Sequence, residues 1–222
     1  MKIQIYTMQT IEEAKAVAAL GVDHVGITPS DIGLPGEVDF ATARGIADSV
    51  RGSVVSVALS VESNLDAIEA MVQAVRPDIL HLCGPENSLL PDAVGTLRER
   101  CGDAAIMQAI SVGGPEAIDA ALSYEEVSDY LILDTQCEEI TGIGASGAVH
   151  DWNISGEIVR QVKIPVILAG GLSPENVAEA ISAVGPWGVD SLTHTNLSLA
   201  GGVFRKDLDR IGQFASAAKG VS

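Results

Sequence analysis

The chain has 222 residues, of which 47 % are hydrophobic and only 4 % aromatic. That excludes a disordered chain and predicts one sizeable core built mostly from Ala, Val, Ile and Leu. Thirty acidic residues face thirteen basic ones, for a formal net charge of −17, a surface that repels nucleic acid phosphates and anionic membranes and excludes both as partners.

Short apolar runs alternate with Ala- and Glu-rich stretches from the first residues onward. The run 2–7 (KIQIYT) predicts a strand and 10–20 a helix. Strand 23–28 (DHVGIT) is followed by the loop 29–37 (PSDIGLPGE) and helix 38–50. Strand 53–59 (SVVSVAL) precedes helix 64–75, and strand 78–83 (DILHLC) precedes helix 88–101. Strand 105–111 (AIMQAIS) leads to helix 114–123. Strand 128–134 (SDYLILD) leads through the long segment 135–151 to helix 153–162. Strand 165–169 (PVILA) is followed by helix 174–184, and strand 187–192 (WGVDSL) by helix 205–219.

Eight strands and eight helices in strict alternation imply parallel strands joined by crossover helices, with both sheet faces buried. Eight units in about 220 residues favour an α/β fold of the (β/α)8 TIM-barrel type, as a single domain over 1–222. No GxGxxG follows the first strand, which argues against a dinucleotide-binding sheet. The loops 29–37 and 135–151 lie at the C-terminal ends of their strands, where barrel enzymes carry their active sites.

Several residues at that end can carry chemistry. Asp134 closes an apolar strand, and partial burial of a carboxyl there suits a general acid or base near neutral pH. In LAGGLSPENVAEAI (168–181), Gly170 and Gly171 end strand seven, Ser173 is placed as a helix cap and Pro174 at the first helical position. Glycines that admit a ligand to the backbone, next to free helix amides, predict a phosphate or other anion site. Gly147, with Gly142 and Gly144, gives the sixth loop the composition of a lid. His194 follows strand eight, with Thr193 and Asn196 beside it. Cys83 ends strand four. No CxxC, HxH or HExxH spacing occurs, so neither a disulfide framework nor a metal is expected. Three cysteines and an N-terminus without an apolar signal core predict a cytoplasmic protein.

The segments LILDT, GASGAVHDW, DILHLCGPE, GPWGVD and above all PVILAGGLSPENVAEAI occur in the order and at the spacing of the phosphoribosylanthranilate isomerase family, which the chain resembles nearly end to end. The resemblance implies an Amadori rearrangement, in which an N-linked aldose phosphate becomes an amino-ketose phosphate, with no cofactor. It also implies a small phosphorylated substrate and a monomer or homodimer. Asp134 matches the family's general acid. At the position of its Cys general base stands Tyr6 or, without a gap, Gln4. The loop 29–37 holds no Arg where the family has one, Gln108 and Ser111 stand for Lys and Arg on strand five, and Ala148 for a lid Lys. Thr193, His194, Thr195 and Asn196 replace the family's Ser-Gly-x-Glu. Three functions stay open: an isomerase of this type with Tyr6, Cys83 or His194 as base, a barrel enzyme acting on a different sugar phosphate or small anionic substrate, and a non-catalytic ligand- or partner-binding homologue.

Overall fold

The computed structural model describes residues 1–135, 150–199 and 203–221. Eight parallel strands close into a barrel: β1 (Lys2–Ile5), β2 (His24–Ile27), β3 (Val55–Ser60), β4 (Ile79–Leu82), β5 (Ala105–Ser111), β6 (Tyr130–Asp134), β7 (Val166–Leu168) and β8 (Gly188–Ser191). Closure is made by β1 and β8, in a register that sets Gln4 opposite Asp190 and Ile5 opposite Ser191. The helices α1 (Ile11–Ala18), α2 (Phe40–Val50), α3 (Leu65–Val75), α4 (Pro91–Arg100), α5 (Glu116–Tyr124), α6 (Trp152–Gln161), α7 (Val177–Val184) and α8 (Leu208–Lys219) follow the strands in turn. The (β/α)8 expectation holds. Among the described residues no helix is long and apolar enough to cross a membrane.

Side chains alternate along each strand between two cores. On β6, Leu131 and Leu133 point to the helices, while Ile132 joins Tyr6, Val57, Ile79, Cys83, Met107 and Ile167 inside the barrel. The N-terminal end of the barrel is closed by aromatic packing: Trp187 lies 5.4 Å from Tyr130 and 5.7 Å from His24, between ring centroids. At that same end, three aspartates just ahead of even-numbered strands tie down the strand before them. Asp23 accepts from the Ile3 amide at 3.0 Å, Asp78 from Ser56 at 2.8 Å and Asp129 from Ile106 at 2.8 Å. With the N-terminal end of the barrel plugged and stitched, the barrel interior opens at its C-terminal mouth.

Two boundaries differ from the sequence reading. Ser173 does not cap α7: its hydroxyl accepts from Glu175, residues 174–176 form a turn, and the helix begins at Val177. The cause is Asn176, whose side chain accepts from the Ser173 amide and donates to the Gly171 carbonyl, so a side chain supplies the bonds a first helical turn would make. The last helix also starts later than residue 205. Phe204–Lys206 forms strand β10, paired antiparallel with β9 (Asn196–Ser198), and Asp207 then caps α8. A single 3-10 turn, Thr193–Thr195, links β8 to this hairpin.

Candidate active site

Alternation along β6 and β8 turns Asp134 and Asp190 into the barrel mouth. There they line one cleft with Gly170, Gly171, Leu172, Ser191, Thr193 and His194. Thus Asp134, the glycine pair, Thr193 and His194, foreseen from the sequence, come together. Gly170 and Gly171 both have positive φ, 81° and 63°, a turn that L side chains resist. A Cβ on Gly170 would come within 2.8 Å of His150 Nδ1, so the position is closed to larger residues by contact as well. Among the described residues the amides of Gly170 and Gly171 donate to no protein acceptor, as an anion-binding turn requires.

Asp134 is half-buried, and burial pushes its carboxyl up to about 7, against the pull of the Thr135 amide, which donates to Oδ1 at 2.7 Å. Asp190 is only 7 % exposed and is pushed up to about 8, first by burial and then by the charge of Asp134. Gln4, its register partner, approaches without reaching hydrogen-bond geometry: Gln4 Nε2 and Asp190 Oδ1 are both buried without a partner. Two neighbouring carboxyls with raised proton affinity titrate as a pair. Near neutral pH such a pair holds about one proton between them, and can both give and take one.

The other expected residues fall in different places. The Tyr6 ring lies against Gly26, where a Cβ would come within 2.2 Å of it, and reaches across the barrel to donate to or accept from His81 Nδ1 at 2.9 Å. Burial, then the charges of Asp190 and Cys83, raise the Tyr6 phenol well above its ordinary value, so it holds its proton and packs the barrel centre. Cys83 is buried below the mouth, and burial raises its thiol likewise, with Asp134 adding to it. Asn196 is turned to Lys206, whose Nζ donates to its Oδ1 at 2.6 Å and also to the Tyr6 carbonyl. Burial lowers that ammonium to about 7 despite the opposing pull of Glu13 and Asp190. Gly147 and the rest of the glycine-rich lid lie outside the described residues.

The sequence reading missed Asp190 and Lys206. Asp190 sits second to last in a strand whose alternation with Val189 was readable, and its parity with Asp134 was the available signal. Lys206 was hidden inside a predicted helix. His150, beside the mouth, is a clasp: its Nε2 meets Ser155 Oγ at 2.7 Å and its Nδ1 meets Thr135 Oγ1 at 3.3 Å, and burial lowers it to about 4. No cluster of metal-ligating side chains occurs among the described residues.

The charge around the mouth is one-sided. The segments that follow β1 to β7 carry no Lys or Arg, while Asp31, Glu37, Asp39, Glu62 and Glu86 lie in them. Arg210, on α8, is engaged with Glu175 through two bonds of 2.8 and 2.9 Å.

Residues 3–211 match the family described as N-(5'phosphoribosyl)anthranilate (PRA) isomerase. The N-(5'-phosphoribosyl)anthranilate isomerase of Natronomonas pharaonis is 34 % identical over 201 residues, covering 90 % of this chain and 89 % of that one. That of Haloarcula marismortui is 32 % identical over 219 residues, covering 98 % and 96 %. The crystal structure of phosphoribosyl anthranilate isomerase from Thermotoga maritima superposes with a TM-score of 0.81 at 26 % identity, over 99 % of both chains. Given this match along nearly its whole length, the chain belongs to the N-(5'-phosphoribosyl)anthranilate isomerase family.

Proposed function

We propose that the protein isomerises an N-(5-phosphoribosyl) arylamine to the corresponding amino-ketose phosphate, with phosphoribosylanthranilate as the family substrate. The observation that carries this reading is the convergence of Asp134, its carboxyl raised to about 7, with the Gly170–Gly171 turn and His194 on one cleft. The phosphate lies against the amides of the glycine turn. Asp134 then delivers its proton to the ring oxygen, the nitrogen lone pair forms C1'=N, and the C1'–O bond breaks. A carboxyl half-protonated near pH 7 is matched to that transfer, which contributes roughly 10²–10⁴ in rate. No cofactor takes part. The reaction is proposed to run in the cytoplasm on a monomer or homodimer; a relative from Thermotoga maritima is described as dimeric.

The test is turnover of phosphoribosylanthranilate by the intact protein beside Asp134→Asn. Activity abolished in the variant is the expected result; no activity in a correctly folded wild type overturns the reading.

A second reading, a less anionic substrate, is favoured by the seven cation-free segments around the mouth. Anthranilate brings a carboxylate in addition to the phosphate. Each charge-assisted hydrogen bond a cation would have made is worth about 1.5–3 kcal/mol. Faster turnover of the N-phosphoribosyl derivative of aniline, which lacks that carboxylate, would select this reading; faster turnover of the anthranilate compound would reject it. The binding-only alternative has no such observation behind it.

A further inference from the structure

The isomerisation needs a second group, one that removes the proton from C2'; of the three residues foreseen for it, His194 lines the cleft while Tyr6 and Cys83 are otherwise engaged. The Tyr6 hydroxyl is hydrogen-bonded to His81 across the barrel, and Cys83 is a buried thiol packed beneath the mouth. Asp190 is different. It is a carboxylate more than nine-tenths buried, its Oδ1 has no partner among the described residues, and it lines the same cleft as Asp134, Gly170 and Gly171. Oδ1 is sealed on the side of Gln4, its register partner, whose side chain pulls the carboxyl's proton affinity down, so what a substrate group would meet is the part of the Asp190 carboxyl that lines the cleft shared with Asp134.

We propose that Asp190 is the second catalytic carboxylate, pairing with Asp134 as the general base of the isomerisation. The inference rests on the isomerase reading above. The groups facing Asp190 are Asp134 from β6, Gln4 from β1 and Tyr6 just after it, Lys206 from β10 and His194 from the turn after β8. Lys206 and Asp134 set its charge state in opposite senses. The nearby ammonium favours the ionised form, and the second carboxylate favours the protonated one.

The steps balance with a single proton on the pair, and the reactive form is the tautomer that carries it on Asp134; Asp190, the carboxyl raised further, holds it in the other. Asp134 gives it to the ring oxygen as C1'–O breaks and C1'=N forms. Both carboxylates are then charged, next to a cationic iminium. Asp190 takes the C2' proton, the C2'–H pair becomes C1'=C2', and the C1'=N pair returns to nitrogen. The enol moves its hydroxyl proton to C1', giving the ketone. The pair again carries one proton, now on Asp190, and its return to Asp134 resets the site. No oxidant or reductant is consumed.

Kinetics of wild type, Asp190→Asn, Asp190→Glu and Asp134→Asn across pH 5–9 test this. Asp190→Asn is expected to lose kcat at least 100-fold with KM changed only a few-fold. It should still bind reduced 1-(o-carboxyphenylamino)-1-deoxyribulose 5-phosphate, the analogue held by a solved relative. Wild-type kcat should be bell-shaped, with one limb from each ionisation of the pair, and Asp190→Glu should restore part of the rate. An active wild type whose Asp190→Asn variant keeps more than a tenth of kcat overturns this inference alone. An inactive wild type overturns the isomerase reading and this inference together. Should Asp190→Asn fail to fold, the wild-type profile decides: a single limb overturns the pair.

Discussion

The two ends of the barrel hold aspartates in opposite circumstances. At the N-terminal end, Asp23 accepts from the Ile3 amide and from Lys2 at 2.8 Å. Burial alone would raise its carboxyl, but those bonds outweigh it and hold it below the ordinary range. Asp129 likewise takes the Ile106 amide and two bonds from Arg98. At the C-terminal mouth, Asp134 has one backbone donor and Asp190 an orphaned oxygen, and both are raised, to about 7 and about 8. The same residue type stabilises at one end, where donors meet it, and stores proton affinity at the other, where they do not. A strand has two ends but one backbone, so the chain places chemistry where the crossover loops can vary and stitching where they are short.

The largest effect expected is at the mouth itself. Asp134→Asn should lower kcat by about 10²–10⁴, the usual worth of a general acid, in a steady-state assay. Next comes the packing beneath it. Gly26→Ala puts a methyl within 2.2 Å of the Tyr6 ring, and overpacking of that kind costs about 1–3 kcal/mol, or more where nothing can shift. Thermal unfolding would read it, and an unchanged Tm would mean that Tyr6 has another resting place.

Of opposite sign is the effect of pH on stability. Both mouth carboxyls have folded values raised above their unfolded ones, so between about pH 4 and pH 8 the folded protein binds more protons than the unfolded chain, and stability falls as pH rises. Asn at Asp190 removes that penalty. The variant should therefore melt higher than wild type at pH 8, with the gap closing toward pH 4. A gap that widens on acidification would contradict the raised values. The smallest effect on turnover is that of Tyr6→Phe, which leaves His81 Nδ1 unpaired at a cost of about 1–3 kcal/mol and should leave kcat within a few-fold. A hundred-fold loss of kcat would return Tyr6 to the role of base.

The fold was legible because strand and helix periods alternate without interruption and each βα unit carries its own signal. The site was legible where one residue type announces itself by position, as Asp134 does at the end of YLILD and the glycines do at the end of VILA. What stayed hidden depends on three-dimensional neighbours. Asp190 becomes notable only when β8 closes on β1 and leaves its oxygen without a donor. Lys206 reads as a helical residue until Asn196 and the Tyr6 carbonyl are seen to hold it. Ser173 reads as a helix cap until Asn176 is seen to fold back on the turn, accepting from the Ser173 amide and donating to the Gly171 carbonyl, which local sequence does not announce.

The division between the two ends is tested most directly by measuring kcat and Tm together for Asp134→Asn and Asp129→Asn at pH 7.5. The expected result is a crossed one. Asp134→Asn loses at least 100-fold in kcat while keeping or raising Tm. Asp129→Asn lowers Tm through the weakened Ile106 and Arg98 bonds while kcat per folded molecule stays within about two-fold of wild type. An Asp134→Asn protein that keeps its kcat, or one that loses it only by unfolding, would contradict the assignment of the mouth to catalysis.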